Sequence, residues 1–422
     1  ISENDLNRIK AQQEVEFYES LSDVLGKSET LAEYYYLKGN PGYVTRDIQQ
    51  MMSVTKADVI KVYNTYFKNK PYVATSFVPK GQLDLMITGS QMAEVVEEPI
   101  VEGAEEDFDA SQEVAYEKTP SKIKRDVEPP YGEKFTVKTP KIEEAKFNNG
   151  LQIMAIENDE VPLVQFQLII DGGQKLEKVQ GSAVLLADQL IRGTAYKTAA
   201  ELEDAIAQLG SSISVSSSKE QFILYGVALK KNFKPTMQLV SEILLSPRWD
   251  EEELALNVSA KMATLDQQKS SANTLSSLAY NSLLYGESHV MAKNALGTEA
   301  SLKAVNMQDL QELYTKAFVP QLSLFNVVGD VNMDDVQNAS VELIHNWKKS
   351  DRKTVKLLPA SKPEKPQVYF VDFPEAKQSV IRVGTSSMPI TDKNYYNGVI
   401  ANYILGGGGF ASILMQEMRE AK

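Results

Sequence analysis

Residue types that could do metal or nucleophilic chemistry are few in this chain. There is no Cys and there are two His, His289 and His345, in 422 residues. The first count removes disulfides and thiolate metal ligands together. The second excludes any His-rich metal centre by arithmetic. The run Gly406, Gly407, Gly408, Gly409 in ILGGGGFASILMQEMRE invites comparison with phosphate-cradling loops. A P-loop, however, needs a strand before it and Gly-Lys-Ser/Thr after it, and a dinucleotide fingerprint needs G-x-G-x-x-G after a strand. Here an amphipathic helical run precedes the glycines and no such Lys follows, so a nucleotide-dependent enzyme is a distant reading. What remains are Asp188 in GSAVLLADQLIRGT, Lys261 in LALNVSAKMATL and Arg419 near the end of the chain. Each lies in a stretch whose apolar spacing predicts helix.

These positions must be held by a scaffold whose outline is readable. A length of 422 suggests two or three domains, and 43% hydrophobic with 24% charged residues is ordinary globular composition. The net charge of −13 argues against nucleic acid as a partner, because phosphate binding needs a basic face. No apolar run approaches the roughly 18 residues of a membrane span. Strands are predicted near 144–156, 163–171, 211–217, 220–229 and 322–328. Helices are predicted near 178–192, 199–209, 231–246, 250–270, 272–285 and 306–317. Blocks of helices beside hairpin-linked strands indicate α+β.

An internal repeat organises the chain. Val54, Asp58, Tyr63 and Phe67 of VTKADVIKVYNTYF recur as Val305, Asp309, Tyr314 and Phe318 of VNMQDLQELYTKAF, all at an offset of 251. Each copy runs from helix into an extended segment, YVATSFVP or LSLFNVVGDV. A second repeat concerns starts: 151–173 and 367–387 each read as two strand-like runs around a turn. Residues 1–80 are therefore expected to end one domain, 141–350 to form a complete one and 367–422 to begin another. Two linkers are expected to run extended over the surface. The first, 81–140, is acidic between Glu94 and Asp109 and then Pro-bearing around Glu128–Gly132; the second, 351–366, is basic and Pro-bearing. The opening ISENDLNRIKAQQEVEFYESL reads as starting in mid-helix, as in an internal fragment.

The stretch GSAVLLADQLIRGT resembles the opening motif of the insulinase/pitrilysin family of zinc metallopeptidases, G-x-A-H-x-x-E-H followed by G-T. Gly181, Ala183, Gly193 and Thr194 stand at family positions. Val184 replaces the first His, Ala187 the catalytic Glu and Asp188 the second His. In the family, His at i and i+4 hold Zn²⁺ and the Glu activates its bound water. The register of the family's third ligand, a Glu, falls on Lys261. LLYGESHVMAKNALGT with FVPQLSLFNVVGDV, and LGGGG…MRE, extend the resemblance over most of 145–332 and more weakly over 1–80 and 363–422. The family fold implied is a two-layer mixed sheet with helices on one face, repeated.

The resemblance implies the non-catalytic part of a two-halved metalloendopeptidase. No cofactor is expected in this chain; zinc belongs to an upstream half, which would be its partner together with peptide substrates. An Asp188–Lys261 ion pair is expected where the family places metal. His289 is not a ligand in the family. Gly406–Gly409 would handle substrate peptide, and Arg419 would reach into the catalytic half to orient substrate and support the oxyanion. The Tyr that accompanies it in the family falls beyond Lys422. A periplasmic or envelope location follows only from bacterial members. The alternative is a catalytically dead scaffold or peptide-binding protein of the same fold.

Overall fold

A computed structural model describes residues 1–92, 124, 127–128, 130, 132, 136–357, 359–360, 365–374, 376 and 378–420. The acidic run 94–109 lies outside them. Two compact units separate, 1–56 with 140–422 and 57–139.

The larger unit opens with α1 (Glu3–Ser20), α2 (Val24–Lys38) and α3 (Tyr43–Ser53). Ser2 caps α1, with Asp5 returning the bond in a capping box. The spacing S-x-x-D carried that signal. α4 (Lys56–Tyr66) follows, almost wholly in the smaller unit.

Six strands then form one sheet: β1 (Glu143–Lys146), β2 (Gln152–Glu157), β3 (Leu163–Asp171), β4 (Ser212–Ser217), β5 (Gln221–Leu229) and β6 (Ser323–Gly329). The spatial order is β1-β2-β6-β3-β5-β4. β2 and β6 are parallel, and every other neighbouring pair is antiparallel. The predicted strand 144–156 is split into β1 and β2 by the Asn148–Asn149–Gly150 turn, where Phe147 N–H donates to Leu151 O at 3.0 Å.

Alternation decides which face is buried. Phe166, Leu168 and Ile170 of β3, Phe222 and Leu224 of β5, and Phe325 and Val327 of β6 all point into one core. The helical layer over that face comprises α5 (Ser182–Leu190), α6 (Ala199–Gln208), α7 (Phe233–Leu245), α8 (Glu251–Lys269), α10 (Glu299–Ala304), α11 (Met307–Ala317), α12 (Met333–Ala339) and α13 (Val341–Asn346), while α9 (Ala272–Tyr285) adds no side chain to that core and packs against α8. Phe166 packs edge-on to Phe325 at 6.3 Å between centroids, and Tyr314 of α11 lies between Trp249 and Phe318. The sheet's other face is not bare: Val15 and Tyr18 of α1 cover Leu163, Val227 and Leu229.

One expectation changes beyond the second linker. Among the described residues of 351–366, which are largely exposed, Arg352 is drawn inward, its guanidinium 3.0 Å from Asp171 Oδ2 and its side chain 9% exposed. The described residues of 367–387 form no strand, and Val368 and Val383 are over 90% exposed. Two short strands without further partners are marginal in water, and the described residues offer these none. α14 (Tyr395–Asn402) follows.

Candidate functional site

α5 begins abruptly. Gly181 sits at its N-cap with φ +91, and a Cβ there would come within 2.6 Å of Leu296 O, so only glycine suits the position. The carboxylate of Glu177 accepts from Ala183 N–H at 3.2 Å, answering a backbone donor that the first turn leaves open. Most of the helix is then buried; Val184 and Asp188, spaced i and i+4, are the half-buried exceptions. Ala187 is 1% exposed and belongs to the core.

α8 presents a matching line. Asp250 caps it, accepting from the N–H groups of Glu252 and Glu253. Glu253, Asn257 and Lys261, each four residues apart, then meet α5. Lys261 Nζ lies 2.6 Å from Asp188 Oδ2, with the side chains 23% and 28% exposed. Asn257 Nδ2 donates to Gln189 Oε1 at 3.3 Å, and Gln189 Nε2 donates to Asp250 O at 3.2 Å. Arg192 Nε and Glu253 stand 3.9 Å apart at the outer end. The seam is thus a polar ladder of an ion pair, a buried amide bond and a loose outer pair. Its middle rungs, Gln189 and Asn257, were not found from sequence.

Zinc does not fit this seam. Val184 offers no donor atom, Ala187 no base, and Asp188, the one carboxylate among the three replaced motif positions, is already held by an ammonium that would repel a divalent cation. Among the described residues, no group of three or more His, Asp or Glu could hold a metal ion.

A second polar cluster lies where β3 leads into α5. Burial pushes the Glu177 carboxyl up to about 7, against the pull of the Ala183 and Gly181 N–H groups and of Lys293 and Lys219. Burial holds the Lys219 ammonium below its usual range, and its Nζ donates to Lys293 O. Gln174, buried, ties in Ala295 O at 2.9 Å. Asp171 is gripped by both Lys175 and Arg352. The available sequence signal was a carboxylate shortly before a helix start with no capping Ser, Thr or Asp.

The remaining predicted positions lie elsewhere. His289 caps the turn Val290–Ala292, its Nδ1 accepting from Met291 N–H at 3.2 Å, and its ring stacks on Tyr285. His345 is exposed in the last turn of α13. Gly406 and Gly407 extend α14 through a wide π turn, Tyr403–Gly407, and Gly409 starts a tight one. No strand leads into them, so a phosphate loop is absent there. Arg419 is exposed and stacks over the Phe410 ring at 5.2 Å.

Comparison with known proteins agrees with this architecture. Residues 153–292 match the model for insulinase (peptidase family M16), and residues 304–422 match that for the peptidase M16 inactive domain. The chain is 21% identical over 276 residues to the uncharacterized zinc protease YmxG of Bacillus subtilis, covering 65% of this chain and 66% of that protein. It is 25% identical over 278 residues to the non-peptidase homolog YmxG of Helicobacter pylori, covering 62% and 60%. The chain therefore spans just under two-thirds of the curated relatives it matches. Among solved structures, the peptidase M16 inactive domain from Pseudomonas fluorescens superposes with a TM-score of 0.58 at 22% identity, over 67% of this chain and 68% of that one.

Proposed function

Because the chain belongs to the insulinase family of peptidases, peptidase family M16, we propose that it is the non-catalytic portion of a two-halved zinc metalloendopeptidase. In this reading it forms the substrate-enclosing wall of a closed chamber, and a catalytic half of the same polypeptide supplies zinc. The observation that carries the proposal is the Lys261–Asp188 contact at 2.6 Å. In this reading a charge pair between α5 and α8 stands where the family would place the donors that hold a metal. Val184 and Ala187 complete the loss. Arg419 and Gly406–Gly409 would serve from this side, the first as a cationic contact to substrate and the second as backbone N–H groups free of side chains. The net charge of −13 favours basic or neutral peptides. No described helix is long and apolar enough to cross a membrane; a periplasmic or envelope site of action is part of the proposal.

Metal analysis after chelation and reconstitution tests it. This chain should retain close to zero zinc and hydrolyse no fluorogenic peptide. The longer polypeptide should hold one zinc and hydrolyse such peptides, losing that activity when this chain is deleted. About one tightly held zinc in this chain alone would overturn the assignment. A second reading is a catalytically dead scaffold or peptide-binding protein, and the non-peptidase naming of the Helicobacter relative favours it. In that case the longer polypeptide binds peptide and cleaves none.

A further inference from the structure

A cavity opens at the end of the sheet where the chain leaves β3 for α5. Asp171, the last residue of β3, pairs with Gln221, the first of β5. Just beyond, three main-chain bonds strap residues 172–175 to the turn between β4 and β5. Gly172 N–H donates to Glu220 O at 2.8 Å, Gln174 N–H to Ser218 O at 3.0 Å and Lys175 N–H to Lys219 O at 2.9 Å. Gly173 permits so close an approach: its φ is +69, and a Cβ there would come within 2.3 Å of Ser218 O. The strap carries Lys175 and the turn carries Lys219 to the lining of one cavity of about 320 Å³. Asp171, Ser218, Glu220 and Gln221 complete that lining.

Charge at this place does not balance. The side chains of Lys175 and Arg352 are 4% and 9% exposed, and both rest on the one carboxylate of Asp171. A single carboxylate neutralises one of the two cations, and a buried cation without a counterion is costly. Hydrogen bonding is unbalanced as well. Arg352 directs both terminal nitrogens at Asp171, one to the carboxylate and one to the main-chain carbonyl, while its buried Nε finds no partner. Four buried side-chain polar atoms are unpartnered among the described residues, and three of them gather here. Gln174 and Ser217 adjoin residues that line the cavity, and Arg352 is bonded to another. Lys219 adds a further cation from the turn, with Lys293 near enough to repel it.

We propose that this cavity is a binding site for a phosphate group, held between Lys175 and Lys219. Asp171 positions Lys175 and Arg352, and the phosphate supplies the counter-charge that one carboxylate cannot. Phosphate fits better than a carboxylate because Lys219 joins the surplus left by Lys175 and Arg352. A group with two negative charges and acceptor oxygens on every side answers both ammonium groups at once. Exposed Glu220 is the repelling member of the lining and limits the affinity. The site shares no residue with the Asp188–Lys261 seam, and it holds equally for a peptidase and for a scaffold.

Calorimetric titration with inorganic phosphate, at an ionic strength held constant with sodium chloride, decides the matter. One phosphate should bind per chain, and the thermal unfolding midpoint should rise with phosphate beyond the chloride control. Lys175→Met and Lys219→Met should each weaken binding by at least about 10-fold, the scale of one charge-assisted hydrogen bond. Glu220→Gln should tighten it by about twofold or more, because a like charge leaves the lining. Should Lys175→Met not fold, the half-buried Lys219 and exposed Glu220 still carry the test with opposite signs. O-phosphoserine distinguishes the sources: affinity equal to phosphate assigns the site to phosphate esters, and affinity 10-fold weaker or more assigns it to the free ion. No saturable binding above the chloride control would overturn the proposal. So would binding that neither Lys219→Met nor Glu220→Gln alters, which would mark an adventitious ion only. These measurements read neither zinc nor hydrolysis, so their failure is separable from that of the functional reading.

Discussion

Lys261 and Asp188 form a contact between two regimes, neither sealed from water nor freely solvated. Breaking a fully buried pair costs about 3–5 kcal/mol, while a surface pair is worth about 0–1. Lys261→Ala, which strands a carboxylate about a quarter exposed, should therefore cost about 1–2 kcal/mol in urea unfolding. A change within about half a kcal/mol would show that solvent already screens the pair. Glu177 acts through protonation. Its carboxyl titrates at about 7 in the folded chain, above its ordinary value of 4.5, because burial penalises the anion. Between those two pH values the folded state binds the proton and the unfolded state has released it. Stability therefore falls as pH rises through that window and levels off above it, by roughly 2–3 kcal/mol. The pull of Lys293 and Lys219 on the Glu177 carboxylate opposes the effect of burial without reversing it. Urea titrations at pH 5, 6, 7 and 8 should show this slope in the native chain and a flatter profile for Glu177→Gln. An unchanged slope would assign the dependence to another group. Gly181 and Gly193 show why part of the opening motif persists without its chemistry. Both have positive φ and closely approaching backbone, so they answer to the fold and not to a metal.

At the scale of elements, α5 and α8 act as one rigid pair. Asn257 and Gln189 are buried and satisfy each other, so Asn257→Ala leaves Gln189 Oε1 without its partner at a cost of about 1–3 kcal/mol. Because Lys261 is the next rung, the double variant Asn257→Ala/Lys261→Ala should cost less than the two singles together by at least about 0.5 kcal/mol. Denaturation of all four proteins measures the coupling, and strict additivity would show that the rungs hold independently. Much of this scaffold was legible in advance. β3, β5, α9 and α11 fall within about a residue of their predicted limits, because periods of 2 and 3.6 are strong over nine residues or more. α10, α12 and α13 were missed because six or seven residues give helical spacing too little length to register. The insertion of β6 between β2 and β3 is a long-range pairing that local pattern does not encode. Residues 367–387 show the converse, since strand-like alternation makes a strand only where a partner exists. The meeting of Asp188 and Lys261 was reachable through family resemblance alone. Gln189, Asn257 and Glu177 were not, because burial sets their importance and burial is a property of the folded chain.

On the scale of the whole molecule, the proposed function turns on what this chain would offer to a catalytic half. Among the described residues Arg419 stacks on Phe410, and it is exposed. An Arg so placed is either ornamental packing or a charge reserved for a surface that arrives later. Packing of this kind is worth about 0.5–1 kcal/mol at an exposed site, so Arg419→Ala should leave the unfolding of this chain nearly unchanged. In the longer polypeptide the same change should lower kcat for peptide hydrolysis by about 10²–10³-fold, the scale of losing one donor to a developing oxyanion. KM should move less, because the contact strengthens in the transition state more than in the ground state. Arg419→Lys separates charge from geometry: an ammonium restores the field but not the planar fork, and should recover only part of the rate. If hydrolysis by Arg419→Ala equals that of the native polypeptide while zinc content is unchanged, Arg419 is a surface residue and the proposed contact with substrate is wrong.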